Sequence, residues 1–559
     1  MKVAEAIRLY LEKMDLSHFF GVSGAKIEDL FFALRKSDSI KTIIAKHEAG
    51  AVAMAEGYFY KTGKLGVVLT TSGGGAFQTL APLTEALSSR IPLLVIVGQI
   101  PSYTEGQGAF QDSSGIYTPV NALEIFSAVC VAAKKLDEYE EILNTLDYLI
   151  SEAFSRTGPT ALLIPSDFLK SDIDFFHDPR IAKLEKKLGG MEELERALCK
   201  IRDAKNIVTI GGEDIHTPAT RELFTGFINA TGSLVALTPD AKGIWDHYDD
   251  RFVGLVGVMG HDSAFEALAN ADLVIIVGTA LPVFSRIPTI DALRDKYVIL
   301  IHDSPSFIEK SDVKGIDILN IIGDIYSCLA FLLNTLRENG NRKGSIRKSA
   351  PRNLEIGQFN EGKGTYLFSM NEVIDVINTM LPEDADVFAD AGNTGAAVIH
   401  GLNVRGRGIF NVALGMGAMG HSFGCAIGAS AARDTRAFVF AGDGAFYMCG
   451  MEIHTAREYV LPITFIIFNN NAHAMCYTRE MVNRGSATSA NLFKTSAIGS
   501  GLKEMLPGIM AFEVNKAGEL RDALKIANAF HGPSVISINT DYNEIPPFRN
   551  FISRKEKST

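Results

Sequence analysis

Gly442-Asp443-Gly444-Ala445 and Asn469-Asn470-Asn471 are the residues best equipped for chemistry, with Asn470 following Asp443 by 27 positions. Asp443 offers a hard anionic oxygen and Asn470 a neutral amide oxygen. That pair suits Mg²⁺, which takes one or two protein oxygens and completes its shell with substrate phosphates and water. Gly442 and Gly444 carry no Cβ to hold an anion away from the backbone N–H groups. A helix that follows the motif adds positive potential at its first turn. Together these residue types describe a Mg²⁺-bridged diphosphate site.

The flanking sequence supplies the elements that must position them. Residues 436–440 (RAFVF) and 463–468 (ITFIIF) are apolar, strand-like runs. Residues 450–460 read as a helix that stops near Leu461-Pro462. Asp443 and Asn470 then sit just past the carboxyl ends of two strands in one βαβ unit, the edge at which open parallel sheets bind ligands. The same alternation runs along the whole chain. Helical periodicity over 4–14, 27–34 and 47–62 alternates with strands at 18–22, 40–45, 65–70 and 92–97. A polar stretch at 168–190 reads as a linker. A second unit at 190–336 has strands at 204–210, 234–237, 272–277 and 297–301; it is Rossmann-like in rhythm but lacks G-x-G-x-x-G. Residues 337–362 are polar, basic and nearly free of aliphatic side chains, an exposed linker. The third unit spans 363–548. The fold class is α/β, with three doubly wound parallel-sheet domains.

Composition narrows the function classes. A chain of 559 residues exceeds what one hydrophobic core supports, and 47% apolar with 21% charged residues is ordinary for a globular enzyme. A net charge of −11 argues against general nucleic-acid or acidic-membrane binding. The six cysteines form no CxxC, which fits a reducing compartment and carries no zinc signature. The charged, amphipathic start of the chain is unlike a signal peptide, and no apolar run is both long and charge-free enough to span a bilayer. A cytoplasmic enzyme is the expectation.

The GDG run, the intervening helix, the second apolar strand and the paired asparagines resemble the thiamin diphosphate (ThDP) motif of acetolactate synthase-like and pyruvate decarboxylase-like enzymes. The resemblance covers nearly the whole chain. It implies a pyrimidine-binding domain (1–170), a central domain (190–336) and a diphosphate-binding domain (363–548). It implies ThDP and Mg²⁺ as cofactors, with Asp443, Asn470 and the Ala472 carbonyl on the metal, and Ala445 and Met475 beside the cofactor. Lys46-His47-Glu48-Ala49-Gly50 resembles the family helix whose Glu meets the aminopyrimidine ring, which makes Glu48 the catalytic acid that shares a proton with a ring nitrogen. Glu56 and His47 point elsewhere on such a helix and are read as structural. Asp390-Ala-Gly392-Asn393-Thr394 resembles the other diphosphate-contacting loop, and Asn393 and Thr394 also suit a helix N-cap.

Residues 415–420 (GMGAMG) are formally a G-x-G-x-x-G, with Asp434 near the spacing of a ribose-binding acid, so a nicotinamide or flavin oxidoreductase is an alternative. The same run resembles the family loop beneath the thiazolium. There the Gly417 carbonyl would accept from the 4′-amino group and Met419 would wedge the cofactor into its bent shape, a positioning effect.

The reaction implied is decarboxylation of a 2-oxo acid followed by C–C bond formation with a second carbonyl acceptor. Phe110 and Gln111 resemble residues facing the acetolactate synthase centre, and the paired His of simple decarboxylases is missing there. Met475 and Cys476 stand where aldehyde-releasing decarboxylases place a Glu at the second position. A plain 2-oxo acid decarboxylase releasing an aldehyde is the alternative, and a non-catalytic regulatory homologue is a third reading. The chain departs from acetolactate synthases elsewhere. Gly74 replaces a Pro, Leu123-Glu124 replaces a Thr-Lys pair, and residues 277–284 lack two arginines that hold FAD and the acceptor carboxylate, so FAD is doubtful. His421 and His473 are candidates for proton transfer or substrate binding. The family shares each site between subunits, which implies a homodimer or homotetramer.

Overall fold

The computed structural model describes residues 1–117, 120–175, 177–181, 187–303, 315–338, 351, 353–354, 368–549 and 551. Three parallel sheets of six strands each account for the strand-like runs. Numbering strands within each sheet along the chain, the first and third share the order 2-1-3-4-6-5, and the central sheet runs 6-5-4-1-2-3. Every pair within them is parallel, with one register shift between Val235 and Ala236. Strands such as Leu93–Gln99 and Ile463–Asn469 are buried along their full length, as sheets covered on both faces require.

Most predicted elements are present within a residue or three of their expected bounds, and three differences are informative. The helix expected at 450–460 starts earlier. Asp443–Cys449 is already helical, a 3-10 turn occupies Gly450–Glu452, and Ile453–Glu458 completes it. Asp443 thus stands in a first helical turn, where an acid is favoured by the exposed N–H groups. The stretch from 168 is not a linker throughout: Phe168–Lys170 forms a 3-10 turn, and Leu169, Ile173, Phe175 and Ile181 pack on the first domain's core. Several strands were not foreseen, among them Pro159–Pro165 and Ser534–Asn539, which are buried within their sheets, and Ala132–Lys135 and Met510–Val514, which lie at sheet edges and are only partly covered. The expected linker at 337–362 lies mostly outside the described residues.

The first and third domains are welded by two helices of small residues, Glu48–Thr62 and His421–Ala432. They cross so closely that a Cβ at Gly57 would fall 1.9 Å from the Cys425 carbonyl oxygen, and one at Gly428 would fall 1.8 Å from that of Met54. One continuous apolar core includes residues of the central and third domains, and another joins the first and third. Among the described residues no helix is long and apolar enough to cross a membrane.

Candidate active site

In the third sheet the strands Asp386–Ala389, Ala437–Gly442 and Ile463–Asn469 lie side by side. Their carboxyl ends release the loops that begin at Asp390, Gly442 and Asn470. The strand order reverses between the first two, and such a switch point opens a crevice at the sheet edge. A pocket of about 80 Å³ lies there. Gly392, Asn393, Thr394, Met419, Gly442, Asp443, Gly444, Ala445, Asn470, Ala472, His473, Met475 and Cys476 all line it.

The polar groups of this pocket are left open for a ligand. Asp443 is 1% exposed; its Oδ1 accepts from the Gly444 N–H at 3.0 Å, and its Oδ2 is buried with no hydrogen-bond partner among the described residues. Burial pushes its carboxyl up to about 6. The Asn393 Oδ1 is also buried and unpartnered at the first turn of the helix Asn393–Gly401. Asn470 Oδ1 accepts from Ala472 N–H at 3.1 Å, which orients the amide. Gly392 has φ +97° and open space where a Cβ would stand, a backbone geometry that favours glycine. A Cβ at Gly444 would lie 2.9 Å from His473 Nδ1 and 3.2 Å from Met419 Cε, so Gly444 keeps the pocket open between those two side chains. An orphaned carboxylate oxygen, an orphaned amide oxygen and a side-chain-free cradle at two helix N-termini fit a diphosphate bridged by a divalent cation.

Asp443 also sets a pH dependence. A cation binding at this carboxyl would have to displace the proton that burial holds on it. Mg²⁺-dependent cofactor binding should therefore be flat above about pH 6 and weaken by about tenfold per unit below it, as measured by calorimetry. The linkage to stability has the opposite sense. The folded chain holds this proton more tightly than the unfolded chain, so without cation the group's contribution falls as pH rises from the ordinary carboxylate range through about 6.

Other predicted residues lie elsewhere. Glu48 opens its helix, with His47 as N-cap accepting from Ala49 N–H at 3.1 Å. Within one chain Glu48 does not line the pocket. It faces the first domain's sheet edge, where a Cβ at Gly75 would meet its Oε1 at 2.8 Å. Gln111 is at that same edge, its Cγ 2.9 Å from where a Cβ at Gly73 would stand, and Gly74 starts the next short helix. Phe110 is 82% exposed. His421 is carried away from the pocket. Its ring is buried in the helix crossing, with Nε2 at 3.0 Å from Cys425 Sγ and 3.6 Å from Glu56 Oε2, because Cys425 lies one turn along the same helix face. Burial lowers its pKa. In place of a substrate-facing His421, the structure shows a side chain buried in the domain interface, engaged through Nε2 while its Nδ1 has no partner among the described residues, and Glu56 lies in the same buried cluster.

Sequence reasoning missed two carboxylates that hold the 415–420 loop. Glu85, from the helix Leu80–Ser88, accepts from the N–H groups of Gly415, Met416 and Gly417 at 2.9, 2.7 and 3.0 Å. Asp390 accepts from Gly420 N–H at 2.9 and 3.0 Å to its two oxygens, and from Ser422 Oγ at 2.6 Å. Gly417, whose φ is +70°, lies outside the pocket lining, and Met419 lies within it between the two anchors. This arrangement also disposes of the dinucleotide alternative. The amides a pyrophosphate would need are already donated to an acid from another domain. Residues 415–417 are themselves exposed, so their freed amides can turn to water, and Glu85→Ala should cost about 1–3 kcal/mol in all, read in denaturant melts.

The N-terminal TPP-binding domain of thiamine pyrophosphate enzymes matches residues 1–116, the central domain 194–332 and the C-terminal TPP-binding domain 390–538. The chain belongs to the thiamine pyrophosphate enzymes. This thiamine pyrophosphate enzyme is 27% identical to the acetolactate synthase large subunit of Lactococcus lactis over 473 residues, covering 83% of this chain and 80% of that one. It is 26% identical to the acetolactate synthase large subunit of Corynebacterium glutamicum over 559 residues, 96% of this chain and 86% of that one. In fold it is similar to a benzoylformate decarboxylase from Polynucleobacter necessarius, with TM-score 0.81, 17% identity and coverage of 98% and 99%. It is also similar to a Rhodococcus jostii ThDP-dependent 4-hydroxybenzoylformate decarboxylase, with TM-score 0.77, 18% identity and coverage of 97% and 99%.

The central domain of this thiamine pyrophosphate enzyme is poorly suited to FAD. A cavity of about 420 Å³ opens at its own switch point, lined by Glu213, Asp214 and Asp240 together with Arg90 and Arg221. Arg90 is already taken by Asp303 at 2.6 and 2.9 Å and by Asp214 at 3.5 Å. Three carboxyl groups crowd where a dinucleotide diphosphate needs donors, and burial with mutual repulsion raises the pKa of Glu213 and moves Asp214 up to about 7.

Proposed function

We propose that the chain is a ThDP- and Mg²⁺-dependent carboligase that decarboxylates a 2-oxo acid and joins the remaining fragment to a second carbonyl compound. Asp443, Asn470 and Ala472 would hold the metal, and Gly392, Asn393, Thr394, Gly442 and Gly444 the diphosphate. Bound ThDP supplies a nucleophilic carbon and an electron sink for the fragment left when CO₂ departs. Gly417 and Met419 would position the rings, and Glu48 would hold the proton shared with the pyrimidine nitrogen. The observation that carries carboligation is the lining of the pocket. Among the described residues its only carboxyl group is Asp443, which would be committed to the metal, and Met475 and Cys476 stand in its lining. With no acid in this chain's share to protonate the fragment, a second carbonyl has time to capture it. The names of the acetolactate synthase relatives support the same reading.

His473 favours the second reading, a decarboxylase that releases an aldehyde. Its imidazole lines the pocket beside Gly444 and is the one ring there able to deliver a proton. Incubating the protein with ThDP, Mg²⁺ and a panel of 2-oxo acids, with and without aldehyde acceptors, separates the two by mass spectrometry. Condensed products support carboligation, and free aldehyde as the sole product rejects it.

The complete site is proposed to form in a homodimer or homotetramer. Glu48, Gly74, Phe110 and Gln111 gather at the edge of the first sheet, while the diphosphate residues gather at the edge of the third. Phe110 and Tyr117 near the first edge, and Met416, Tyr447 and Met448 near the second, are large apolar side chains left exposed in one chain. Pairing two copies would cover them and bring each Glu48 to the partner's cofactor. Six unpaired cysteines suit a reducing compartment such as the cytoplasm.

A further inference from the structure

A second cavity, of about 230 Å³, lies where the central domain meets the diphosphate-binding domain. Lys242 lines it and is only 1% exposed. Its ammonium group makes no hydrogen bond or ion pair with any described residue; the Phe410 ring centroid lies 5.8 Å away. A buried cation without a counter-ion is costly, which is why native proteins pair such groups or neutralise them. Burial alone moves Lys242 down to about 7.

The neighbours cannot supply the missing charge. His400 engages the Met259 carbonyl through Nδ1 at 2.8 Å and accepts from Leu354 N–H through Nε2 at 2.7 Å. His261 accepts from Leu255 N–H through Nδ1 at 3.0 Å and donates to the His400 carbonyl through Nε2 at 3.1 Å. Each of these rings uses one nitrogen as an acceptor, so each is a neutral imidazole. His247, stacked on Phe252 at 4.3 Å, donates through Nε2 to the Lys242 carbonyl at 2.9 Å. Asp375, the one carboxylate of the lining, is solvent-exposed and makes no ion pair with Lys242. The remaining wall is Tyr248, Phe252 and Pro351, together with Asn353, Asn378 and Asn403.

We infer that this cavity is a binding site for a small organic monocarboxylate, whose carboxylate pairs with Lys242 and whose short apolar tail lies against the rings. One buried cation, with the lining's single carboxylate turned to solvent and its other groups neutral, calls for a single negative charge rather than the two of a phosphate. The space exceeds the roughly 30 Å³ that a water occupies and admits a few carbons. The site is joined to the cofactor pocket. His400 stands near the end of the helix Asn393–Gly401, whose first residues Asn393 and Thr394 line that pocket about 10 Å away along the helix axis. An occupant touching His400 therefore bears on the element that presents the diphosphate donors. The inference goes beyond the carboligase reading and holds whichever product that enzyme forms.

Trp245, the sole tryptophan, is buried three residues from Lys242, outside the cavity wall but on the same segment, so its fluorescence follows a rearrangement of Lys242. The full chain, purified without added cofactor, is titrated with sodium acetate, propionate, phosphate and chloride at constant ionic strength, and its tryptophan fluorescence is followed. A saturable change with acetate or propionate and none with chloride or phosphate is expected. Lys242→Met should weaken that response about tenfold or more, and Lys242→Arg should retain it. No saturable change with either carboxylate, an equal response to phosphate or chloride, or an unaltered titration in Lys242→Met would overturn the inference. Should Lys242→Met fail to fold, wild-type crystals grown with 3-bromopropionate decide the matter. Anomalous scattering from bromine beside Lys242 supports the site, and bromine found nowhere or only in the diphosphate pocket rejects it.

Discussion

Glu48→Gln is expected to lower turnover by about 10²–10⁴-fold while leaving Mg²⁺–ThDP affinity within a few-fold of the parent. The substitution keeps the size and shape of a side chain that sits at the first turn of its helix, against a run of glycines. A Cβ at Gly75, in the short helix Gly74–Gln78, would come within 2.8 Å of its Oε1, so the bare glycine leaves the acid room. The amide cannot share a proton with a ring nitrogen, so the loss belongs in kcat rather than in binding. Steady-state kinetics with calorimetric titration of the cofactor makes the separation. Turnover equal to the parent's would remove Glu48 from the catalytic role proposed for it.

Asp443→Asn is expected to have the larger effect on binding. The amide preserves an acceptor for the Gly444 N–H but removes the only negative charge of the pocket lining, and with it the anionic oxygen left without a partner. Losing a group that merely orients a metal ligand costs about 10–100-fold in affinity, so losing a ligand itself should cost at least about 100-fold in Mg²⁺–ThDP binding. The folded chain should be unharmed, since the wild-type carboxylate is buried at a cost when no cation is present. Cofactor titration alongside thermal melts distinguishes the outcomes. A variant that melts at the parent's temperature and binds cofactor as well as the parent would show that the charge of Asp443 does not hold the metal.

Much of this was legible in the chain because the decisive features are local. Apolar runs ending in glycine announce parallel strands, and the polar residue just past each run lies at the ligand-binding edge whatever the rest of the fold does. Asp443, Asn470 and Asn393 could be placed on that ground. Glu85 could not. In Leu80–Ser88 it looks like any solvated helical acid, and only the approach of a loop more than three hundred residues later reveals three backbone amides aimed at it. Backbone donors leave no mark on composition or periodicity. Asp390 was passed over for the same reason. His421 misled in the opposite direction: its place in sequence, directly after Gly420, says nothing about which way a helix turns it, and the turn it takes is toward Cys425 and Glu56. The edge strands stayed hidden because a half-covered strand such as Ala132–Lys135 can be written in polar residues.

The carboxylate grip on the 415–420 loop has an implication for how such an enzyme diversifies. Both anchors hold main-chain N–H groups, which every amino acid except proline possesses, and Met416 is 61% exposed on the outside of the grip. Mutation can therefore sample new side chains at that position while the peptide path of the loop, proposed to run beneath the cofactor rings, stays where it is. Selectivity for one small molecule over another could drift here across generations at little risk to the posture of the reactive group.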